Sequence, residues 1–150
     1  MTAPIRPHIL FAFGQQVWDG FVDPAALARL ETFADWDWLP CEGGGRTYFR
    51  AHEDAATSDA LRAKIGTADA LIVCHGAPYV DAAMMDAAPN LRLIGELEGD
   101  RFAGRIDLEA AWARGIRTVD VTNGSSYPVS EWALGLILLS MRNAGAHFRR

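Results

Sequence analysis

Five stretches of this chain follow an apolar run with small, polar or charged residues: Gly14-Gln15-Gln16, Cys41-Glu42, His75-Gly76-Ala77, Glu98-Gly99-Asp100-Arg101 and Asn123-Gly124-Ser125-Ser126. In an open parallel sheet, ligands bind outside the carboxyl ends of the strands, so these are the places to look for chemistry. The stretch "VCHGAPYV" is the most informative. A glycine at a strand end lets the backbone approach a small ligand, and successive N–H groups near the start of a following helix can hold a carboxylate. His75, Gly76 and Ala77 are therefore candidates for an anion site. The same residues also suit a plain strand-to-helix turn, in which Gly76 permits the backbone angle and Pro78 starts the helix; the residues alone leave both readings open. Arg101 offers two donors in a fork to a ligand carboxylate, or answers its neighbours Glu98 and Asp100.

The other loops exclude several common functions. A magnesium-dependent phosphoacceptor domain needs acidic residues after its first and third strands, where this chain has Gly14 and His75. "GQQVWD" lacks the hydroxyl and glycine donors of a flavin phosphate loop, and neither "GGGRTY" nor "GELEGD" matches the G-x-G-x-x-G order of a dinucleotide fingerprint. No P-loop lysine is present. A net charge of -5 without a Lys/Arg cluster argues against nucleic acid or an anionic membrane as partner. Two cysteines without metal-ligand spacing point away from zinc and from a disulfide framework, and toward a reducing cytoplasm. The longest apolar run, "WALGLILLSM", is shorter than the roughly 18 to 20 residues a membrane span requires.

The elements that must position these loops alternate along the chain. "HILFAFG" reads as a strand, and Asp23-Pro24 supplies an N-cap and first helical residue before "AALARLETF". Four further units follow the same plan: "WDWLPC" with "SDALRAKIG", "ALIVCHG" with "YVDAAMMDAA", "LRLIGELEG" with "DLEAAWARG", and "RTVDVTNG" with "VSEWALGLILLSMRNA". Continuous apolar strands such as "ALIVC" suit a parallel sheet covered on both faces. The expected fold is α/β, a flavodoxin-like doubly wound parallel sheet of about five strands followed by a long helix. "RTYFRAHEDAAT" fits neither period and is expected to be an irregular connection. With 150 residues, half of them hydrophobic, one substantial core is feasible.

From Ala68 to about Arg142 the chain resembles the N-terminal half of the D-isomer-specific 2-hydroxyacid dehydrogenases. The resemblance rests on "AAPNLRLIG", on "IDLEAAWARGI" and on "VSEWALGLIL", which is similar to the family's V-A-E-H-A-L-x-L-x-L helix. It implies a substrate-binding domain over residues 1–122, with a hinge and connecting helix over 123–150 that lead toward a nucleotide-binding domain of Rossmann type absent from this sequence. The chain would then be an incomplete, cut or split product. The connecting helix agrees: Trp132, Leu134, Leu136, Ile137, Leu138, Leu139 and Met141 make it apolar nearly all round.

Carried onto this sequence, the resemblance implies that the backbone at His75, Gly76 and Ala77 binds the substrate carboxylate. Asn123 and Ser125 would lie at the hinge near the cofactor, NAD or NADP, with Ser125 where the family commonly has Asn. The family's Arg and glycine-rich turn after "IG" are replaced here by Glu96, Leu97, Glu98, Gly99, Asp100 and Arg101. The acid/base histidine and carbonyl-polarising arginine belong to the nucleotide domain, so no catalytic residue is expected in this chain, nor a metal. The implied partners are a small 2-hydroxy or 2-oxo acid and a second copy of the complete protein, as a homodimer. Two functional classes stand: the substrate-binding portion of an NAD(P)-dependent oxidoreductase, inactive as this chain alone, and a non-catalytic α/β binding or dimerisation module. Trp18, Tyr48, Phe49, Tyr79 and Phe102 either shape substrate side-chain preference or are plain core and rim.

Overall fold

A computed structural model describes residues 6–41, 54–99 and 102–148. The "EGGGR" loop, Tyr48, Phe49, His52 and Arg101 lie outside the described residues. By its contacts the chain divides into two compact units, Met1–Asp120 and Val121–Arg150.

The first unit is built on five parallel strands: β1 (His8–Phe13), β2 (Asp35–Pro40), β3 (Ala70–Val73), β4 (Leu93–Glu96) and β5 (Arg117–Asp120), in the order β2-β1-β3-β4-β5. Each strand of the expected alternation is present. β1 lies between two neighbours, with His8 opposite Asp35 on one side and Ile9 opposite Ala70 on the other. The step from β1 to β2 runs in the opposite direction to the later steps. Right-handed crossovers therefore put the connecting helices on two faces.

On one face Leu10, Ala12, Leu71, Val73 and Ile94 pack with Leu61 and Ile65, Met84 and Met85, and Ala111. Those residues belong to α3 (Ala55–Lys64) and the 3₁₀ turn after it, to α4 (Ala82–Asp86) and to α6 (Leu108–Ala113). On the other face Phe13, Val17 and Cys74 form a smaller buried group, edged by Phe11, Trp18, Trp38 and Ile72. Burying each large apolar side chain stabilises the fold by about 1.5–3 kcal/mol. The Trp18 and Trp38 rings stack at 4.4 Å, and the Trp38 indole N–H donates to the Phe13 carbonyl at 3.1 Å. Trp18 is thus committed to packing.

Helix starts follow the Asp residues. Asp23, Asp54, Asp81 and Asp107 each accept backbone N–H bonds at the first turns of α2 (Pro24–Leu30), α3, α4 and α6. This satisfies donors that a helix N-terminus leaves unpaired. Two helices go beyond the sequence expectation: α1 (Gln15–Phe21) and α5 (Phe102–Arg105). α4 is shorter than "YVDAAMMDAA" implies, because Asp81 caps it and Tyr79 to Asp81 precede it; Val80 instead makes a bridge to Ile106. The expectation that Pro78 starts this helix is therefore corrected.

The second unit contains a 3₁₀ turn at Thr122–Gly124, then α7 (Ser126–Met141) and α8 (Ala144–His147). Asn143, at φ 50°, turns the backbone left-handed and ends the long helix, so the final apolar segment is two helices rather than one. Trp132, Leu134, Ile137, Leu138 and Met141 of α7 are all exposed. Among the described residues, no helix is long and apolar enough to cross a membrane.

Candidate functional site

The exits of β3 and β4 meet at a cluster of charged and polar side chains beside a core that is, among the described residues, otherwise apolar. Glu96 is the last residue of β4 and only 1% exposed, and Arg105, from α5, is equally buried. A buried ion persists only when paired and hydrogen-bonded. The Arg105 Nη1 group donates to Glu96 Oε1 at 3.2 Å and to Glu98 Oε2 at 2.8 Å, so one guanidinium serves two carboxylates. The backbone N–H of Glu98 donates to Glu96 Oε1 at 3.3 Å, while Glu96 Oε2 has no hydrogen-bond partner among the described residues. Burial is the largest influence on Glu96 and pushes its carboxyl up to about 7, against the opposing pull of Arg105.

His75 completes the cluster. Its Nε2 lies 2.7 Å from Glu98 Oε1, and its Nδ1 lies 3.3 Å from Arg105 Nη2. A guanidinium nitrogen only donates, so Nδ1 must accept. The neutral ring then carries its proton on Nε2 and donates it to Glu98. Arg105 thereby sets the tautomer of a histidine thirty residues away in sequence.

Cys74, His75 and Glu98 place one sulfur, one nitrogen and one oxygen ligand atom within 4.8 Å of one another. Both imidazole nitrogens are engaged by Glu98 and Arg105, and burial pushes the Cys74 thiol up to about 11. A metal would have to break those bonds and deprotonate a shielded thiol, so the trio is better described as a hydrogen-bonded group.

The turn beside it is tightly knit. Gly76 has φ +92°, and a Cβ there would stand 2.7 Å from the Cys41 carbonyl and 3.2 Å from the Gly14 nitrogen. Glycine is the residue such a position demands. The Gly14 N–H donates to the His75 carbonyl at 2.8 Å, tying the turn to the end of β1. The Ala77 N–H donates to the Cys74 carbonyl at 3.0 Å, and Ala77 is fully buried. Its amide is thus spent within the turn. The expected run of N–H groups at a following helix does not adjoin this turn, because α4 begins five residues later and Asp81 takes the Met84 N–H.

Of the sequence candidates, His75, Gly76 and Ala77 stand together at the β3 exit, and Arg101 lies outside the described residues. Asn123 and Ser125 belong to the second unit, in the 3₁₀ turn and at the cap of α7, and both are exposed. Glu96 and Arg105 are site residues that position along the sequence does not single out. A charged residue closing an apolar parallel strand was the available signal, because it requires a buried cation nearby.

Three of the described helix starts do not suit a dinucleotide phosphate. The helices after β2, β3 and β4 that carry a capped first turn, α3, α4 and α6, present an Asp carboxylate there, which repels phosphate and occupies the donors it would need. Those three helix starts therefore offer the phosphates of a nicotinamide nucleotide no seat.

The model of the D-isomer specific 2-hydroxyacid dehydrogenase catalytic domain matches residues 28–135. The chain belongs to this family. Among curated relatives, it is 34% identical over 93 residues to a D-3-phosphoglycerate dehydrogenase of Mycobacterium bovis, covering 62% of this chain and 17% of that protein. It is 36% identical over 87 residues to a D-3-phosphoglycerate dehydrogenase of Methanocaldococcus jannaschii, covering 58% and 16%. The match thus spans about a sixth of the length of these relatives.

Solved structures share the fold. A phosphoglycerate oxidoreductase from Rhizobium etli superposes with a TM-score of 0.67 at 21% identity, covering 96% of this chain and 40% of that one. The PH0520 protein from Pyrococcus horikoshii gives 0.65 at 23%, covering 97% and 36%. An NADPH-dependent glyoxylate/hydroxypyruvate reductase from Sinorhizobium meliloti, solved in complex with NADP and malonate, gives 0.53 at 21%, covering 90% and 34%.

Proposed function

We propose that this chain is the substrate-binding portion of an NAD(P)-dependent 2-hydroxyacid dehydrogenase. The observation that carries the reading is the family match over residues 28–135, which contains the β3 exit. In this reading the turn at His75, Gly76 and Ala77 receives the carboxylate of a small 2-hydroxy or 2-oxo acid, and Arg101 is a candidate second contact. The nicotinamide nucleotide, NAD or NADP, is held mainly by residues other than these, with Asn123 and Ser125 at the hinge of residues 123–150. The exposed apolar residues of α7 support association with a further surface, in the complete protein a homodimer. The setting is the cytoplasm, in keeping with two buried free thiols.

The division of labour makes a direct prediction. Purified 150-residue chain does not oxidise NADH or NADPH with pyruvate, glyoxylate or hydroxypyruvate, measured by absorbance at saturating substrate. Turnover above the protein-free blank would sink the claim that the chemical step lies elsewhere.

A further inference from the structure

The Glu98 carboxylate is bound by two side chains at once. Its Oε1 lies 2.7 Å from His75 Nε2 and its Oε2 lies 2.8 Å from Arg105 Nη1. That is a two-point seat for a carboxylate, one donor per oxygen, at the edge of the Gly76 turn. Arg105 is buried and braced by Glu96, and its contact with His75 Nδ1 aims the Nε2 proton outward, so both donors are fixed before any ligand arrives. The Glu98 side chain is different: it is 20% exposed and His75 is 27% exposed, so the occupant of the seat faces water while its floor does not.

We propose that Glu98 is a tethered placeholder that occupies the carboxylate seat of His75 and Arg105 and is displaced by the carboxylate of an incoming 2-oxo acid. The proposal rests on the substrate-binding reading above and adds the seat and its internal competitor. The exchange balances: one carboxylate leaves for solvent as another takes its two hydrogen bonds, so the buried guanidinium always keeps a second anion beside Glu96. No uncompensated charge forms in the interior. Glu98 then acts as a filter, because a neutral ligand or one with a single acceptor oxygen replaces only half of the bonds it breaks.

A seat that is open about a tenth of the time weakens apparent affinity about tenfold. The test is titration of the 150-residue chain with pyruvate and with acetate, followed by the imidazole signals of His75, the side-chain carboxyl signal of Glu98 and the Gly76 amide. Glu98→Ala is expected to bind pyruvate about tenfold more tightly than wild type, with Glu98→Gln in between. In wild type the Glu98 carboxyl signal moves to its solvent-exposed position as pyruvate saturates. Because that shift is read on the unaltered chain, it decides the matter even if a variant folds poorly. Pyruvate saturating the Gly76 amide while the Glu98 and His75 signals stay fixed, or variants binding no more tightly than wild type, overturns the placeholder and leaves the substrate-binding reading intact. Acetate and pyruvate binding Glu98→Ala equally well supports the placeholder and removes the preference for 2-oxo acids. An unresponsive Glu98→Ala overturns the seat itself.

Discussion

Replacing Glu96 with glutamine tests the electrostatics of the cluster through pH. In the fold Glu96 is 1% exposed, shares Arg105 with Glu98, and has its carboxyl pushed by burial from 4.5 to about 7. A carboxyl whose value is raised on folding contributes stability that is fully present below the unfolded value and is lost as pH rises through the folded one. The window is therefore about pH 4.5 to 7. At about 1.4 kcal/mol for each tenfold change in proton affinity, wild type loses about 3 kcal/mol across it from this group. Glu96→Gln cannot ionise and does not lose it. Urea unfolding of both proteins, followed by tryptophan fluorescence between about pH 4.5 and 8, isolates the effect, because other groups titrate alike in both and cancel in the difference. The variant should gain on wild type as pH rises, by about 3 kcal/mol in total. A difference that stays flat, or a wild type that gains with pH, would refute the reasoning and show that Arg105 holds Glu96 ionised throughout.

Three further outcomes follow from the structure. Gly115 has φ +69° with open space around its absent Cβ, so Gly115→Ala should cost about 1 kcal/mol in thermal unfolding, the ordinary expense of a left-handed alanine. Gly76→Ala should cost clearly more, because its Cβ would also lie 2.7 Å from the Cys41 carbonyl. Arg105→Met leaves two carboxylates without their cation and should destabilise by about 3–5 kcal/mol at about pH 8, a loss that adding Glu96→Gln partly restores, as chemical denaturation would report.

Much of this arrangement could be read before any coordinates. The strand-and-helix alternation located all five strands, with continuous apolar runs marking inner ones such as β3, and Asp23-Pro24 located the start of α2, because strand burial and helix capping are local properties. α1 escaped because "QQVWDGF" buries only Val17 and carries Gly20, leaving no 3.6-residue stripe to detect. The break at Asn143 escaped for a related reason: a left-handed residue is a single backbone choice within an otherwise helical composition. The site was half legible. Position after a strand singled out His75, Gly76 and Glu98, yet Arg105, which sets the orientation of His75, comes from α5, and only tertiary packing brings the three side chains together. Inspecting residues just past each strand overlooks Glu96, which is still inside its strand, and Arg105, which lies beyond the loop.

The central proposal is that the β3 exit of this member of the D-isomer specific 2-hydroxyacid dehydrogenase family receives the carboxylate of a small 2-oxo acid. Mapping amide and imidazole shifts across the chain during a pyruvate titration addresses it most directly. The expected result is a set of saturable shifts centred on His75 and Gly76 and falling off toward the β2 edge at Trp36. Shifts centred elsewhere, with His75 and Gly76 unmoved at saturation, would contradict it.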